Sequence, residues 1–412
     1  MKFDHTKYWP FLASALILVI GSILTVSYWP AGKDSHSSTA WLDELEKSES
    51  QSDIILESLV DRRNTIEAEL PAMEKAHQPS GFVILRALES TDGKNTAYIA
   101  TRDGSSQDLL ITQSSDNSLV QMPKPRNALP FRQVLSISWI PKTKNLLVAE
   151  RVSDSRDAID QYSDLEKQGP GDFWRQHARQ LSELRGKIES STYTSIYICR
   201  LQDMRIEGVA KSESKVIDLV ATSDGHFMLE SIEVNKILKL RLSRIDMDRL
   251  DVDGVVGEWD TSALGRVDKA RIGASGDLVW LLSQAPASGT VATGRGYSMH
   301  KLEASHDGPV RVLDTVYDFE RVDSDNTVVV VSTSPEIGSV DGSVVLAAVR
   351  ADSYRNPRAL ISQNGNGNSL KIVGVNSAGD LYFTPIQFEK DASSLGDLIN
   401  QDLHVIPGLL KV

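Results

Sequence analysis

The chain has 412 residues, with 44 Lys+Arg against 56 Asp+Glu and a formal net charge of −12. That balance leaves no surplus of cations to neutralise a nucleic-acid backbone. A single cysteine, Cys199, excludes an intrachain disulfide framework and a multi-cysteine metal site.

The stretch from Tyr8 to Trp29 contains no charged residue. As a helix rising ~1.5 Å per residue it is long enough to cross a hydrocarbon core. Tyr8-Trp9 and Tyr28-Trp29 supply an aromatic pair at each end, as a spanning helix requires at the two interfaces. The apolar run is longer than that of a cleaved signal peptide, and Tyr28-Trp29-Pro30 is a poor cleavage context. Residues 1–30 therefore read as a cytoplasmic tip and a retained anchor. Lys2 and Lys7 precede the span and an acidic stretch follows it, which favours a cytoplasmic N-terminus. The body is then expected on the far side of the cell (inner) membrane.

Residues 31–80 read as a polar linker and a stalk helix. Leu42, Leu45, Glu49, Ser52, Leu56, Leu59, Arg63, Ile66, Leu70 and Met73 recur in steps of three and four. Three of these seam positions are polar or charged, so a helix lying on the body or near the membrane fits better than a self-associating coil, although the pattern leaves room for one. Pro71 breaks or kinks the helix, and Gln78-Pro79-Ser80-Gly81 marks the start of the body, 81–412.

From Gly81 onward the pattern changes to short apolar runs separated by turns. Six segments share one form, with turns at Asp92-Gly93-Lys94, Lys142-Thr143-Lys144-Asn145, Asp224-Gly225, Gly276-Asp277, Asp325-Asn326 and Gly379-Asp380. They are spaced by about 50 residues with one longer gap, a period that belongs to propeller blades. A third strand is visible in each unit, at 108–112, 195–201, 236–244, 297–302, 344–350 and 403–406. A pair of β-sandwiches also offers many short strands, but a register near 50 residues held through successive units argues against it.

The first unit, Ser90-Thr91-Asp92-Gly93-Lys94-Asn95-Thr96-Ala97-Tyr98-Ile99-Ala100 with Asp103-Gly104, resembles the WD-like repeat of TolB-type propellers. Trp139-Ile140-Pro141 with Leu146-Leu147-Val148, and Ser223-Asp224-Gly225-His226-Phe227, look like degenerate copies. Thr91 stands where the repeat usually has proline, and later units keep the turn alone. The resemblance implies an all-β, six-bladed propeller over 81–412. Such a fold hosts scaffolds, binders and accessory domains of enzymes, so it does not assign a function.

Residues 154–190 interrupt the second unit. A short helix is expected near 158–167 and a longer one from Asp172, whose Trp174, Ala178, Leu181, Leu184 and Ile188 share one face. That stripe either packs on the propeller or docks a partner. Trp174, Leu181, Leu184 and Ile188 are the candidate partner-binding residues.

Catalytic motifs are missing. The sequence has no GxSxG elbow, P-loop, HExxH or dinucleotide fingerprint. His300 and His306 flank a turn and read as surface residues, as does His226. Cys199 sits in an apolar strand and reads as a small buried hydrophobe. The acidic run Asp246, Asp248, Asp251, Asp253-Gly254 breaks the EF-hand pattern, since Arg249 would be its first ligand. The first strands of the units, such as 134–139, 217–221 and 370–376, are mainly apolar or small polar, so no ring of acidic ligands is expected at the axis. The expectation is a membrane-anchored, non-catalytic scaffold or interaction module with protein partners and no cofactor. The alternative is a metal-assisted hydrolase or lactonase, or a ligand sensor, using the central channel. Three or more carboxylates converging there would reverse that ranking and put the enzyme first.

Overall fold

The computed structural model describes residues 74–76, 79–102, 106–113, 118–167, 172–235, 237–247, 249, 251–284, 297–306, 308–322, 326–332, 344–363, 368–376, 378–387 and 403–410. The expected anchor and the stalk up to Met73 lie outside them. Among the described residues no helix is long and apolar enough to cross a membrane.

The strands form a propeller-like ring of antiparallel sheets. Strand β1 (Glu74–Lys75) belongs to the last sheet, described below. The first full sheet comprises β2 (Val83–Glu89), β3 (Asn95–Thr101), β4 (Gln107–Gln113) and β5 (Ser118–Gln121), paired in that order. The second is β6 (Ala128–Trp139), β7 (Asn145–Ser153), β8 (Thr192–Arg200) and β9 (Arg205–Ser212). The third is β10 (Lys215–Ala221), β11 (His226–Val234), β12 (Ile237–Asp246) and β13 (Asp251–Asp260).

A seven-stranded sheet follows. It contains β14 (Arg266–Ile272), β15 (Leu278–Gln284), β16 (Tyr297–Glu303), β17 (Val310–Arg321), β18 (Thr327–Ser332), β19 (Val344–Arg350) and β20 (Arg358–Gln363). In it β17 serves two neighbours in turn. Its N-terminal part pairs with β16, and from Val316 onward it pairs with β18. Thr315, at φ 52°, sits at the changeover. The last sheet is β21 (Asn368–Val375), β22 (Leu381–Gln387), β23 (His404–Ile406) and then β1, with Glu74 opposite Val405. The body thus draws in residues N-terminal to Gly81, and Ala76 N–H adds a bond to Leu403 O at 2.9 Å.

Contacts between first strands close the ring: β2 touches β6, β6 touches β10, β10 touches β14, β14 touches β17, β17 touches β21, and β21 touches β2. Strand β18 (TVVVVS), covered on both faces, is buried at every residue, whereas fourth strands such as β5 and β13 are largely exposed. The apolar clusters lie between successive sheets. Leu88, Ile99 and Ile111 meet Ile137 and Val148; Leu147 and Ile196 meet Leu219 and Met228; Val329 and Leu346 meet Ile372 and Phe383. Each such side chain, taken wholly out of water, contributes about 1.5–3 kcal/mol.

Two details give the first strands a common register. The backbone N–H just past each strand bonds across the following turn: Ser90 to Asn95 O, Ile140 to Asn145 O, Thr222 to Gly225 O, Gly273 to Leu278 O, Val322 to Thr327 O and Asn376 to Asp380 O. Each first strand also carries a β-bulge. It falls at 84/86, 134/136, 216/218, 267/269 and 316/318, and two residues later in register, at 372/374, in β21. A bulge re-aims the side chains beside it. Those beside it here include Arg86, Ser136, Asp218, Lys269 and Asp318.

The insertion is a helical hairpin, α1 (Arg156–Lys167) and α2 (Asp172–Ser190), between β7 and β8. Its apolar faces meet one another and the start of β6, through Leu129 and Phe131. Phe131 and Tyr162 pack edge to face at 5.8 Å.

Candidate functional site

The bulged first strands bring charged side chains together in the middle of the ring. Strand β2 packs beside β6 and β21, and Arg86 reaches past both. Its Nη1 donates to Ser136 Oγ at 2.9 Å and to Asp218 Oδ1 at 3.1 Å, and its Nη2 lies 3.7 Å from Glu320 Oε1. The guanidinium therefore spans the ring's interior between β10 and β17.

Every carboxylate in the cluster is held from several sides. Asp218 is fully buried. Its Oδ1 also accepts from Ser136 Oγ at 2.7 Å, and its Oδ2 accepts from Arg321 Nη1 at 2.9 Å and Ile272 N at 3.0 Å. Glu320 accepts from Arg271 Nε at 2.7 Å and pairs with Lys269 Nζ at 3.3 Å. Asp318 accepts from Lys269 Nζ at 2.8 Å and from Ile372 N at 2.9 Å. Arg321 also donates to Leu219 O and Ile272 O, stitching β17 to β10 and β14.

These contacts set the protonation states. Burial alone would raise the Asp218 carboxyl, but Arg321, Arg86 and Arg271 outweigh it and hold it below the usual range. Burial likewise opposes ionisation of Glu320, and Arg271, Lys269 and Arg86 overcome it to hold the group well below its ordinary value. Arg86 is the crowded member. Burial and the nearby Arg271 cation lower it more than Asp218 and Glu320 raise it.

Three carboxylates do converge, contrary to the expectation of an apolar or small-polar axis. Of the three, Asp218 is the one carboxylate within 134–139, 217–221 and 370–376; Asp318 and Glu320 stand on β17, and their cationic partners come from β2, β14 and β17. The convergence is electrostatically closed rather than open. Among the described residues, no group of three His, Cys, Asp or Glu is arranged to hold a metal ion.

A second buried pair lies within the second sheet. Arg132 Nε and Nη2 bond both oxygens of Glu150 at 3.0 Å, and Tyr197 OH donates to Glu150. Burial pushes the neighbouring Cys199 thiol up to about 12, and Cys199 packs in the core as the small hydrophobe expected.

The candidate docking residues are placed elsewhere. Leu181, Leu184 and Ile188 are 6%, 4% and 5% exposed, packed on Ala158, Ile159 and Tyr162 of α1. A stripe consumed inside its own hairpin is no open docking face, so that reading is corrected for these three. The Trp174 side chain lies outside the described set. His300 is corrected too: it is buried in β16, where both faces of the strand are covered, with neither ring nitrogen hydrogen-bonded. His226 is half-buried rather than solvent-facing.

No protein-family model and no curated protein matches the chain. Among solved structures, the chain is similar to the β-propeller domain of the trilobed protease of Pyrococcus furiosus, at 9% identity over 74% of this chain and 80% of that one, TM-score 0.41. It is also similar to a protein of Agrobacterium tumefaciens described as a putative TolB, at 12% identity over 69% and 82%, TM-score 0.41. A third is hydrazine synthase of Kuenenia stuttgartiensis, at 9% identity over 81% and 97%, TM-score 0.41. At those identities and scores the likenesses carry no weight for activity.

Proposed function

We propose that the chain is a membrane-anchored, extracytoplasmic β-propeller that acts as a non-catalytic scaffold or interaction module for protein partners in the membrane or envelope. In this reading the ring has six blades built on WD-like repeats, and the seven-stranded sheet is two blades sharing β17. The observation that carries the reading is the state of the axial carboxylates. Asp218, Asp318 and Glu320 are each bonded to arginine or lysine, the arrangement of an ion-pair network that braces the ring. Their convergence is what an axial hydrolase would also need, which keeps that second reading alive as an outcome of the test.

The test uses the full chain extracted from membranes. It is cross-linked and analysed for stoichiometric partners, and in parallel assayed against ester and lactone substrates with divalent metals added. A stoichiometric protein partner without turnover is expected. Turnover abolished by Asp318→Asn would overturn the reading. Reporter fusions at Val412 check the location. Activity of an exported-side reporter alone is expected, and a signal from a cytosolic reporter would refute the orientation.

A further inference from the structure

A cavity of about 370 Å³ lies between the helical hairpin and the second sheet. The register of β6 opens it. Ala128 faces Val152 and Gln133 faces Arg151, the residue next to it on β7, so residues 129–132 stand out of the ladder. They carry Leu129 and Phe131 onto the hairpin, where Phe131 meets Tyr162. One wall of the cavity is thus apolar and aromatic.

The other wall is polar. Arg151 lines it from β7 and is half-buried. It makes no ion pair and no side-chain hydrogen bond among the described residues. Arg185 and Glu189 stand at the exposed edge and neutralise each other at 2.8 Å. The lining therefore carries one uncompensated cation, in a chain whose net charge is −12. Two neutral groups share the space. Gln133 is exposed directly opposite Arg151, and the Tyr162 hydroxyl belongs to a side chain only 6% exposed. Neither side chain is hydrogen-bonded among the described residues.

An apolar wall beside a cation without a counter-ion suits a ligand that has both features. The volume is at the low end of ligand cavities, ~300–1,000 Å³, and so suits one large side chain with a carboxylate next to it. Gln133, Arg185 and Glu189 are exposed, so a chain entering the cavity can continue outside it.

We propose that this cavity docks an acidic peptide segment of a partner protein. An apolar side chain of the segment lies on Leu129, Phe131 and Tyr162, and a neighbouring Asp or Glu pairs with Arg151. The proposal rests on the interaction reading above and gives the partner a chemistry. Leu181 and Leu184 stay inside the hairpin and take no part. The charge-assisted pair with Arg151 sets orientation and is weakened by salt.

A random peptide library displayed on phage is panned against the full chain in detergent. Peptides that set Asp or Glu beside Leu, Phe or Trp are expected to be enriched. The enriched peptide is then synthesised and titrated by fluorescence anisotropy. Gln133→Glu is the decisive variant, because it places a carboxylate opposite Arg151 and supplies the missing anion from within. It should weaken the peptide about tenfold or more while leaving the melting temperature unchanged or raised. Gln133→Lys should tighten binding. Arg151→Glu should lose the acidic peptide and bind the same peptide with its acid exchanged for Lys. Lys239→Gln, on β12 and paired with Glu258, should bind as the parent does. No enrichment, enriched peptides without an acid, or undiminished binding by Gln133→Glu overturns the proposal. A partner cross-linked equally to the parent and to Gln133→Glu overturns the docking site alone and leaves the interaction reading standing.

Discussion

Gly374 on β21 lies directly against Ala87 on β2. A Cβ added at Gly374 would fall 3.0 Å from the Ala87 carbonyl carbon and closer still to its oxygen. β21 opens the last sheet and β2 opens the first full one, so backbone meets backbone where the ring closes, beside the bulge at 372/374. Gly374→Ala is expected to destabilise the fold by at least ~1–3 kcal/mol, since neither strand can yield without moving its sheet. Gly208→Ala, on β9 with nothing within 4 Å of the added Cβ, should be neutral or stabilising by ~0.4–1 kcal/mol. Urea midpoints of the two variants make the comparison.

Asp218→Asn should be among the most damaging single changes in the ring. It leaves Arg86 and Arg321 buried without their shared anion, a cost of about 3–5 kcal/mol. Thermal melting reads the loss directly. A variant that melts like the parent would show that these contacts are not stabilising.

Acid should unfold the ring through the same carboxylates. Asp218 and Glu320 are held below their ordinary values in the folded chain. The stability they contribute is therefore complete above the unfolded pKa values of about 3.9 and 4.3. It is lost as pH falls further, toward the depressed folded values. Denaturant midpoints taken between about pH 6 and pH 3 should drop steeply only below those unfolded values.

His300 gives a separate dependence nearer neutrality. Burial, with Arg311 beside it, holds its pKa below the ordinary value. The neutral ring is the form that folds, so its contribution is intact above about pH 6.5 and declines as pH falls from there toward the folded value. Its two unbonded nitrogens already cost something at any pH. His300→Leu is expected to stabilise the protein by about 1 kcal/mol and to flatten the curve over that window. Denaturation of both proteins at pH 7.5 and pH 5.5 tests it.

Leu181→Ala and Leu184→Ala should each remove about 2–5 kcal/mol from the packing of the helical hairpin. The loss is expected to be local, because among the described residues the apolar partners of the hairpin's core on the ring are Leu129 and Phe131. Amide exchange should accelerate across Arg156–Lys167 while the strands of the neighbouring sheets keep their protection.

How much of this could be read from the sequence follows from distance along the chain. The turns at Asp92-Gly93, Gly276-Asp277 and Gly379-Asp380 are local signals, and Gly93, Gly276 and Gly379 do occupy positive φ there. The third strands and the two insertion helices were equally local, carried by apolar periodicity. The axial cluster was not. Arg86 and Asp218 are 132 residues apart, and Asp218 and Arg321 are 103 apart. Within their own strands Arg86 and Asp218 are each a polar residue between apolar neighbours, with nothing local to show the partner. What aims them inward is a bulge, one extra residue without a sequence signature of its own. His300 misled for a related reason: its neighbours in sequence suggest a turn, and only pairing on both sides of β16 buries it.

The two-residue strand β1 has a mechanical consequence. Any tension on the chain ahead of Glu74 enters the ring through its pairing with β23 and the Ala76–Leu403 bond. So short a clasp gives way long before a sheet such as β6 to β9 would. A pull from that end would uncover the outer edge of β23 while the ring's interior, braced by Arg86, stays intact.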